Sequence, residues 1–208
     1  WVDELAEALG LPAPLPHFDP TVTAGTNFAV GGATTLSTDP SVSFGMNLQL
    51  QALEAFMLSN PSFGDLADYL VIVWGGANDF FSAINAGVAA DPVTSVADLL
   101  AIITDLLNLG ADSLLLANVP PLDQTPEFNG SLAEAAAAAF SITFDGLYRA
   151  AVADLRFAHP AVDFLYFDVY TAMQDVIADP AAFGFTNVED SLLLSGPVSD
   201  PEGYLFWD

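Results

Sequence analysis

Val71-Ile72-Val73-Trp74-Gly75-Gly76-Ala77-Asn78-Asp79-Phe80-Phe81 is an apolar run that stops at a glycine pair and delivers an Asn-Asp dipeptide. β-Branched residues in an unbroken apolar run favour a strand buried on both faces, as in a parallel sheet covered by helices. The glycines let the backbone bend sharply and approach a ligand closely. In open α/β sheets ligands bind at the carboxyl ends of strands, so Asn78 is placed to present an amide that can donate to developing negative charge. The competing reading is a strand-end turn in which Asn78 and Asp79 cap the following helix.

Outward from this strand, elements alternate. Trp1 to Leu9 carries apolar residues at 1, 2, 5, 6 and 9, the pattern of an amphipathic helix, and Gly10 is placed to end it. Leu11 to Pro20 holds four prolines and reads as a loop. Gly25 to Thr35 reads as a short strand running into a second glycine pair, Gly31-Gly32. Met46 to Ser59 is predicted helical and is broken by Asn60-Pro61; Asp91-Pro92 opens a helix running to about Asn108. Ser113 to Ala117 is a second buried strand that ends in Asn118-Val119-Pro120-Pro121-Leu122. Ser131 to Phe157 is a long alanine-rich helix with Glu134 three residues after a Ser131 cap, closed by His159-Pro160. Arg149 and Arg156 share one face of it and are expected to pair with acids such as Asp145. Val162 to Phe167 is a further strand, Tyr170 to Ala178 a helix, and Asp179 onward an irregular acidic tail. Strands alternating with helices imply a parallel sheet with helices on both faces and right-handed crossovers.

Composition narrows the function. A chain of 208 residues, 53% hydrophobic and of mean hydropathy +0.47, can bury the core of one large domain. Its net charge of −25 arises because 27 acids face only two arginines and no lysine, which argues against nucleic acid and anionic membrane surfaces as partners. Salt adaptation is not the preferred explanation, since 14% charged residues is below the roughly 25% usual for soluble domains. The absence of cysteine excludes disulfides and thiolate metal sites. Long apolar stretches are interrupted by acids, so no integral membrane segment is expected. The first helix starts at Trp1 without a preceding methionine, which suggests a fragment or a processed product.

Three stretches, Asn27-Phe28-Ala29-Val30-Gly31-Gly32-Ala33-Thr34, Gly76-Ala77-Asn78-Asp79-Phe80 and Tyr204-Leu205-Phe206-Trp207-Asp208, resemble the GDSL (SGNH) lipase and esterase family, and the resemblance spans almost the whole chain. Asn118 to Leu122, Phe167-Asp168-Val169-Tyr170 and Phe183 to Val188 are similar to its bacterial secreted branch, which includes thermolabile hemolysins. The resemblance implies one SGNH hydrolase domain over residues 1–208, a three-layer α/β/α, flavodoxin-like parallel sheet lacking its first strand. It also implies acyl transfer to a serine activated by a histidine, which an aspartate three residues earlier orients. The resemblance further implies an oxyanion hole formed by a serine amide, a glycine amide and an asparagine side chain. By motif, Gly32 is the oxyanion glycine, with Gly31 as the alternative, Asn78 the oxyanion asparagine and Asp208 the triad aspartate. Neither the Gly-Asp-Ser-Leu block nor a histidine beyond Asp208 is present. Ser191 and Ser199 stand where some relatives carry cysteine.

The remaining candidates read as structural. Asp79 would oppose the charge an oxyanion hole stabilises and is expected to bond local amides. His17 lies in a proline-rich loop and His159 at a helix end, where its partial charge suits the dipole. Ser43 and Ser195 read as loop residues, and no Gly-x-Ser-x-Gly elbow replaces the missing nucleophile. Asp190, Asp200 and Glu202 lack the regular spacing of a calcium loop and read as a solvated acidic surface. The expectation is a lipid- or small-molecule ester hydrolase of bacterial export, needing no cofactor, whose 208 residues alone are inactive. The competing expectation is a noncatalytic ester- or glycan-binding module.

Overall fold

The computed structural model describes residues 1–38 and 44–207, so Ser43 and Asp208 lie outside the described residues. The chain forms two compact units, Trp1–Asp65 and Leu66–Asp208.

In the first unit, helix α1 (Val2–Ala8) precedes the proline-rich loop, and α2 (Met46–Ser59) closes the unit with a 3-10 turn at Pro61–Phe63. The strand expected between Gly25 and Thr35 is reduced to a single parallel bridge, Pro16 with Asn27. Pairing stops after the bonds His17 N–H to Asn27 O (2.8 Å) and Asn27 N–H to Leu15 O (2.9 Å), because the next donor on this stretch, Ala29 N–H, goes to Asn27 Oδ1 at 3.0 Å. Packing comes instead from aromatic rings. His17 stacks on Phe28 at 4.1 Å, and Phe56 of α2 meets both rings edge-on, at 5.3 and 5.9 Å.

The second unit is built on three parallel strands in the order β1 (Leu70–Trp74), β2 (Ser113–Ala117) and β3 (Asp163–Phe167). Helices α3 (Ala77–Asn85) and α4 (Pro92–Asn108) link β1 to β2, and α5 (Glu134–Ala158) links β2 to β3. Successive strands added in one direction through right-handed crossovers place both crossover helices on one face. Accordingly α4 and α5 pack on each other, and α5 packs on β3. The register aligns Val71, Leu114 and Phe164, and then Val73, Leu116 and Tyr166, on the face toward α5. Leu114 and Leu116 are fully buried there, together with Leu99 and Ile103 of α4 and Phe144 and Tyr148 of α5.

The alternate residues of the strands are less covered: Trp74, Leu165 and Phe167 are 45%, 42% and 49% exposed. The expectation of β1 buried on both faces therefore holds for Val73 and fails for Trp74. The sheet is parallel and of the α/β class, as expected.

Capping decides the helix ends. Asp91 accepts from Val93 N–H at 3.0 Å and starts α4 at a proline, and Asp168 accepts from Thr171 N–H at 3.0 Å and starts α6 (Val169–Ala178). The predicted Ser131–Glu134 box is displaced by one turn. Ser131 Oγ accepts from Ala133 N–H, Glu134 reaches back to Gly130 N–H, and α5 begins at Glu134 itself. The tail expected to be irregular contains two short parallel strands, β4 (Asn187–Ser191) and β5 (Tyr204–Phe206). In the sequence their alternation is hidden by the acids Glu189 and Asp190, which are exposed to solvent.

Candidate active site

Asn78 stands where the sequence placed it, one turn beyond the carboxyl end of β1, but inside the helix rather than in a loop: α3 starts at Ala77. Gly76 is the N-terminal flank of α3 with φ +108°, a backbone conformation that strains any L side chain. A Cβ there would lie 2.5 Å from Phe144 Cε2 and 3.3 Å from Val119 Cγ1. Glycine is thus needed both for the bend and for the approach of α5 to the turn. Asn78 is half-buried in the first helical turn, beside Asp79, whose charge suits the positive end of the helix dipole. Phe80 anchors the helix, with its ring 5.0 Å from Phe128 and 5.3 Å from Phe140.

The ladder of rings continues along α5 at four-residue spacing. Phe140 meets Phe144 at 6.0 Å, Phe144 meets Tyr148 at 5.5 Å, and Tyr148 meets Tyr166 of β3 at 6.1 Å. The Tyr148 hydroxyl is buried with no partner among the described residues, and burial pushes its pKa upward.

At the carboxyl ends of β2 and β3 a polar network closes the sheet. Asn118 is fully buried, and its amide donates to Asp145 Oδ1 (2.6 Å) and to Asp168 Oδ1 (2.9 Å). Its side-chain oxygen accepts from Tyr170 N–H at 3.1 Å, and its own N–H donates to Phe167 O at 3.3 Å. Its carbonyl accepts from the Trp74 indole at 3.0 Å. Arg149 bridges the two acids, at 3.1 Å from Asp145 and 2.8 Å from Asp168, and lies 5.1 Å from the centre of the Tyr166 ring. Tyr166 donates to Asp145 Oδ1 at 2.7 Å.

Burial raises the Asp168 pKa, but the hydrogen bonds from Arg149, Thr171 and Asn118 outweigh it and hold the carboxyl well below the usual carboxylate range. Burial and the Asp145 carboxylate push the Tyr166 phenol up. The pairing of Arg149 with Asp145 is as expected. Arg156 is different: it donates to the Phe164 carbonyl, at 3.1 Å from Nε, and not to an acid. Both arginines therefore tie α5 to β3 or to the residue just past it.

In the sequence Asn118 is visible only as the first residue of a motif. Its signal is a polar side chain ending the apolar strand Ser113–Ala117 immediately before Val-Pro-Pro.

Gly32 belongs to the first unit and is exposed. Ala33 N–H closes a turn onto Val30 O at 3.3 Å, and Gly32 is its third residue at φ +75°, the position where a type II turn calls for glycine. Gly31 does not have a positive φ. Among the described residues neither glycine N–H makes a hydrogen bond. The chain beyond the turn is tied to α2: Met46 N–H donates to Thr34 O at 2.9 Å, and Asn47 Oδ1 accepts from Ser37 N–H at 2.8 Å.

The histidines hold structural positions. His17 Nδ1 donates to Gly25 O at 3.1 Å, and His159 caps the end of α5. Asp208 is outside the described residues; Trp207 before it is tied to the turn just past β4, its carbonyl accepting from Leu193 N–H at 3.0 Å. Among the described residues no group of three or more His, Cys, Asp or Glu could hold a metal ion, and no helix is long and apolar enough to cross a membrane.

The described geometry is thus a parallel α/β sheet whose first strand ends in a glycine bend, with Asn78 in the first turn of the helix that follows. The chain belongs to the GDSL-like lipase/acylhydrolase family, whose model matches residues 1–208. A GDSL esterase/lipase of Arabidopsis thaliana is 25% identical over 252 residues, covering 100% of this chain and 67% of that protein. Acetylajmalan esterase 2 of Rauvolfia serpentina is 25% identical over 255 residues, covering 100% of this chain and 70% of that protein. A further Arabidopsis thaliana GDSL esterase/lipase is 34% identical over 70 residues, 27% of this chain. The protein is thus an esterase/lipase-type hydrolase.

Proposed function

We propose that the intact enzyme hydrolyses carboxylic esters of lipids or other small acyl compounds through a serine acyl-enzyme. Attack on the ester carbonyl places negative charge on its oxygen, and fixed donors aimed at that oxygen lower the barrier, by about 2.7–4 kcal/mol for one donor. In this reading the donors include the Asn78 side chain and the Gly32 N–H, and Asp208 orients the histidine that takes the serine proton. The observation that carries it is the position of Asn78 in the first turn of α3, directly after the glycine bend that ends β1.

The same reading assigns the nucleophile and the base to segments other than these 208 residues, because no Gly-Asp-Ser block occurs among them. The 208-residue chain on its own is then inactive. Assayed on p-nitrophenyl butyrate after purification from an esterase-deficient host, it is expected to give the buffer rate, and a rate that scales with protein concentration would refute the assignment. The stretches Asn118 to Leu122 and Phe183 to Val188 favour the exported branch that resembles thermolabile hemolysins. A net charge of −25 fits a soluble exported enzyme acting on neutral esters better than one recruited to anionic surfaces.

A further inference from the structure

We propose that Asn118 is a positioning residue that fixes the turn carrying Asn78, acting through Trp74 and held in place by Asp145, Arg149 and Asp168. The inference rests on the reading of Asn78 as an oxyanion donor and deepens it.

Trp74, Gly75 and Gly76 connect the last strand residue to Asn78, and two glycines in such a link leave the backbone with little intrinsic preference. Something outside the link must therefore restrict it. Three contacts do so, all from β2, the residues just past it and α5. The Trp74 indole donates to the Asn118 carbonyl at 3.0 Å. Trp74 is in register with Ala117, next to Asn118. Gly76 is closely approached by the Phe144 ring and by Val119. The Asn118 peptide is thus the far wall of the turn, and its position is set by its side chain.

Each polar atom of that side chain is engaged. Both amide hydrogens and the amide oxygen are engaged, by acids from α5 and from the end of β3 and by the first turn of α6. The acids in turn are held by a single cation, Arg149, in a chain with only one other arginine and no lysine. Catalysis by a fixed donor is sensitive to placement, because a donor displaced by about 1 Å can cost 10²-fold in rate. A network that gathers β2, β3, α5 and α6 on one asparagine, and whose carbonyl holds the strand end before the donor, is suited to supply that placement.

Two variants separate positioning from mere stability. Asn118→Asp keeps the shape and the acceptor for Tyr170 but turns the donor atom into an oxygen facing two carboxylates. Tyr166→Phe removes only one hydrogen bond to Asp145 and serves if the first variant does not fold. In the ¹⁵N-labelled chain, the Trp74 indole and Asn78 side-chain resonances, assigned by their loss in Trp74→Phe and Asn78→Ala, are expected to shift in either folded variant. Those of Trp1 and Trp207 should stay in place. A lowered melting temperature with unmoved Trp74 and Asn78 signals would overturn the proposal.

In the intact enzyme, Asn118→Asp is expected to lower kcat about 10- to 100-fold and Tyr166→Phe by less, with KM nearly unchanged in both. If Asn78→Ala leaves kcat intact, the oxyanion reading itself fails. If Asn78→Ala lowers kcat and both network variants leave it unchanged, the reading stands and the positioning role is refuted.

Discussion

Two glycines, one in each unit, illustrate how one residue type can be required to different degrees. Gly76 combines φ +108° with a neighbour where a side chain would go, whereas Gly32 has φ +75° and open space around its absent Cβ. Gly76→Ala is therefore expected to suffer backbone strain and overpacking together, about 2–5 kcal/mol, and Gly32→Ala only the strain, about 1–2 kcal/mol. Urea titration of both variants checks this. Equal losses would mean that Phe144 yields to the added methyl, so that the turn is less tightly walled than its geometry indicates. The doublets Gly31-Gly32 and Gly75-Gly76 look alike in sequence, and only the backbone angles and the Phe144 contact tell them apart.

Among the elements, α5 does most to bind the sheet. Its Phe140, Phe144, Tyr148 and Val152 are buried at four-residue spacing, a pattern visible as periodicity, while Arg149 and Arg156 fasten its flank to the β3 side. The Asp168 end of this clamp makes stability depend on acid. The folded-state pKa of Asp168 is depressed, so its contribution is fully present above the ordinary aspartate value near pH 4 and is lost as pH falls toward the lower folded value. Thermal melts from pH 6 down to pH 3 are expected to lose less stability in Asp168→Asn than in the wild type over the stretch below about pH 4. Parallel acid limbs for the two proteins would show that Asp168 does not titrate as its hydrogen bonds require. Asp145 and Arg149 were legible as a helical pair four apart, but Asp168, nineteen residues beyond Arg149, was not.

At the scale of the whole molecule, the net charge of −25 sets up a self-repulsion that opposes the compact state. Twenty-five uncompensated negative charges on 208 residues repel one another, and the repulsion is larger in the compact state than in the unfolded chain. Salt shortens the screening length from about 30 Å at 0.01 M to about 8 Å at 0.15 M, so added NaCl should stabilise the fold. A gain of about 1 kcal/mol corresponds to a rise in Tm of roughly 2–4 °C for a chain of this size. Differential scanning fluorimetry across that range of NaCl is expected to show such a rise. A flat or falling Tm would mean that favourable pairs such as Arg149 with Asp168 outweigh the net repulsion.

The helices Met46–Ser59 and Pro92–Asn108, the strand Ser113–Ala117 and the parallel α/β class are legible in the sequence, because local periodicity, caps and proline breaks specify them within a few neighbouring residues. The glycine bend before Asn78 was legible for the same reason. Other features were settled by tertiary structure alone. Asn118 meets Asp145 and Asp168 across 27 and 50 residues, Arg156 finds a strand carbonyl and not an acid, and β4 pairs with β5 only once the intervening loop has folded back. A pattern within a short window records which face of an element is apolar; which polar atoms meet at the end of a sheet depends on how distant segments dock, and for a buried amide every one of those partners must be present at once.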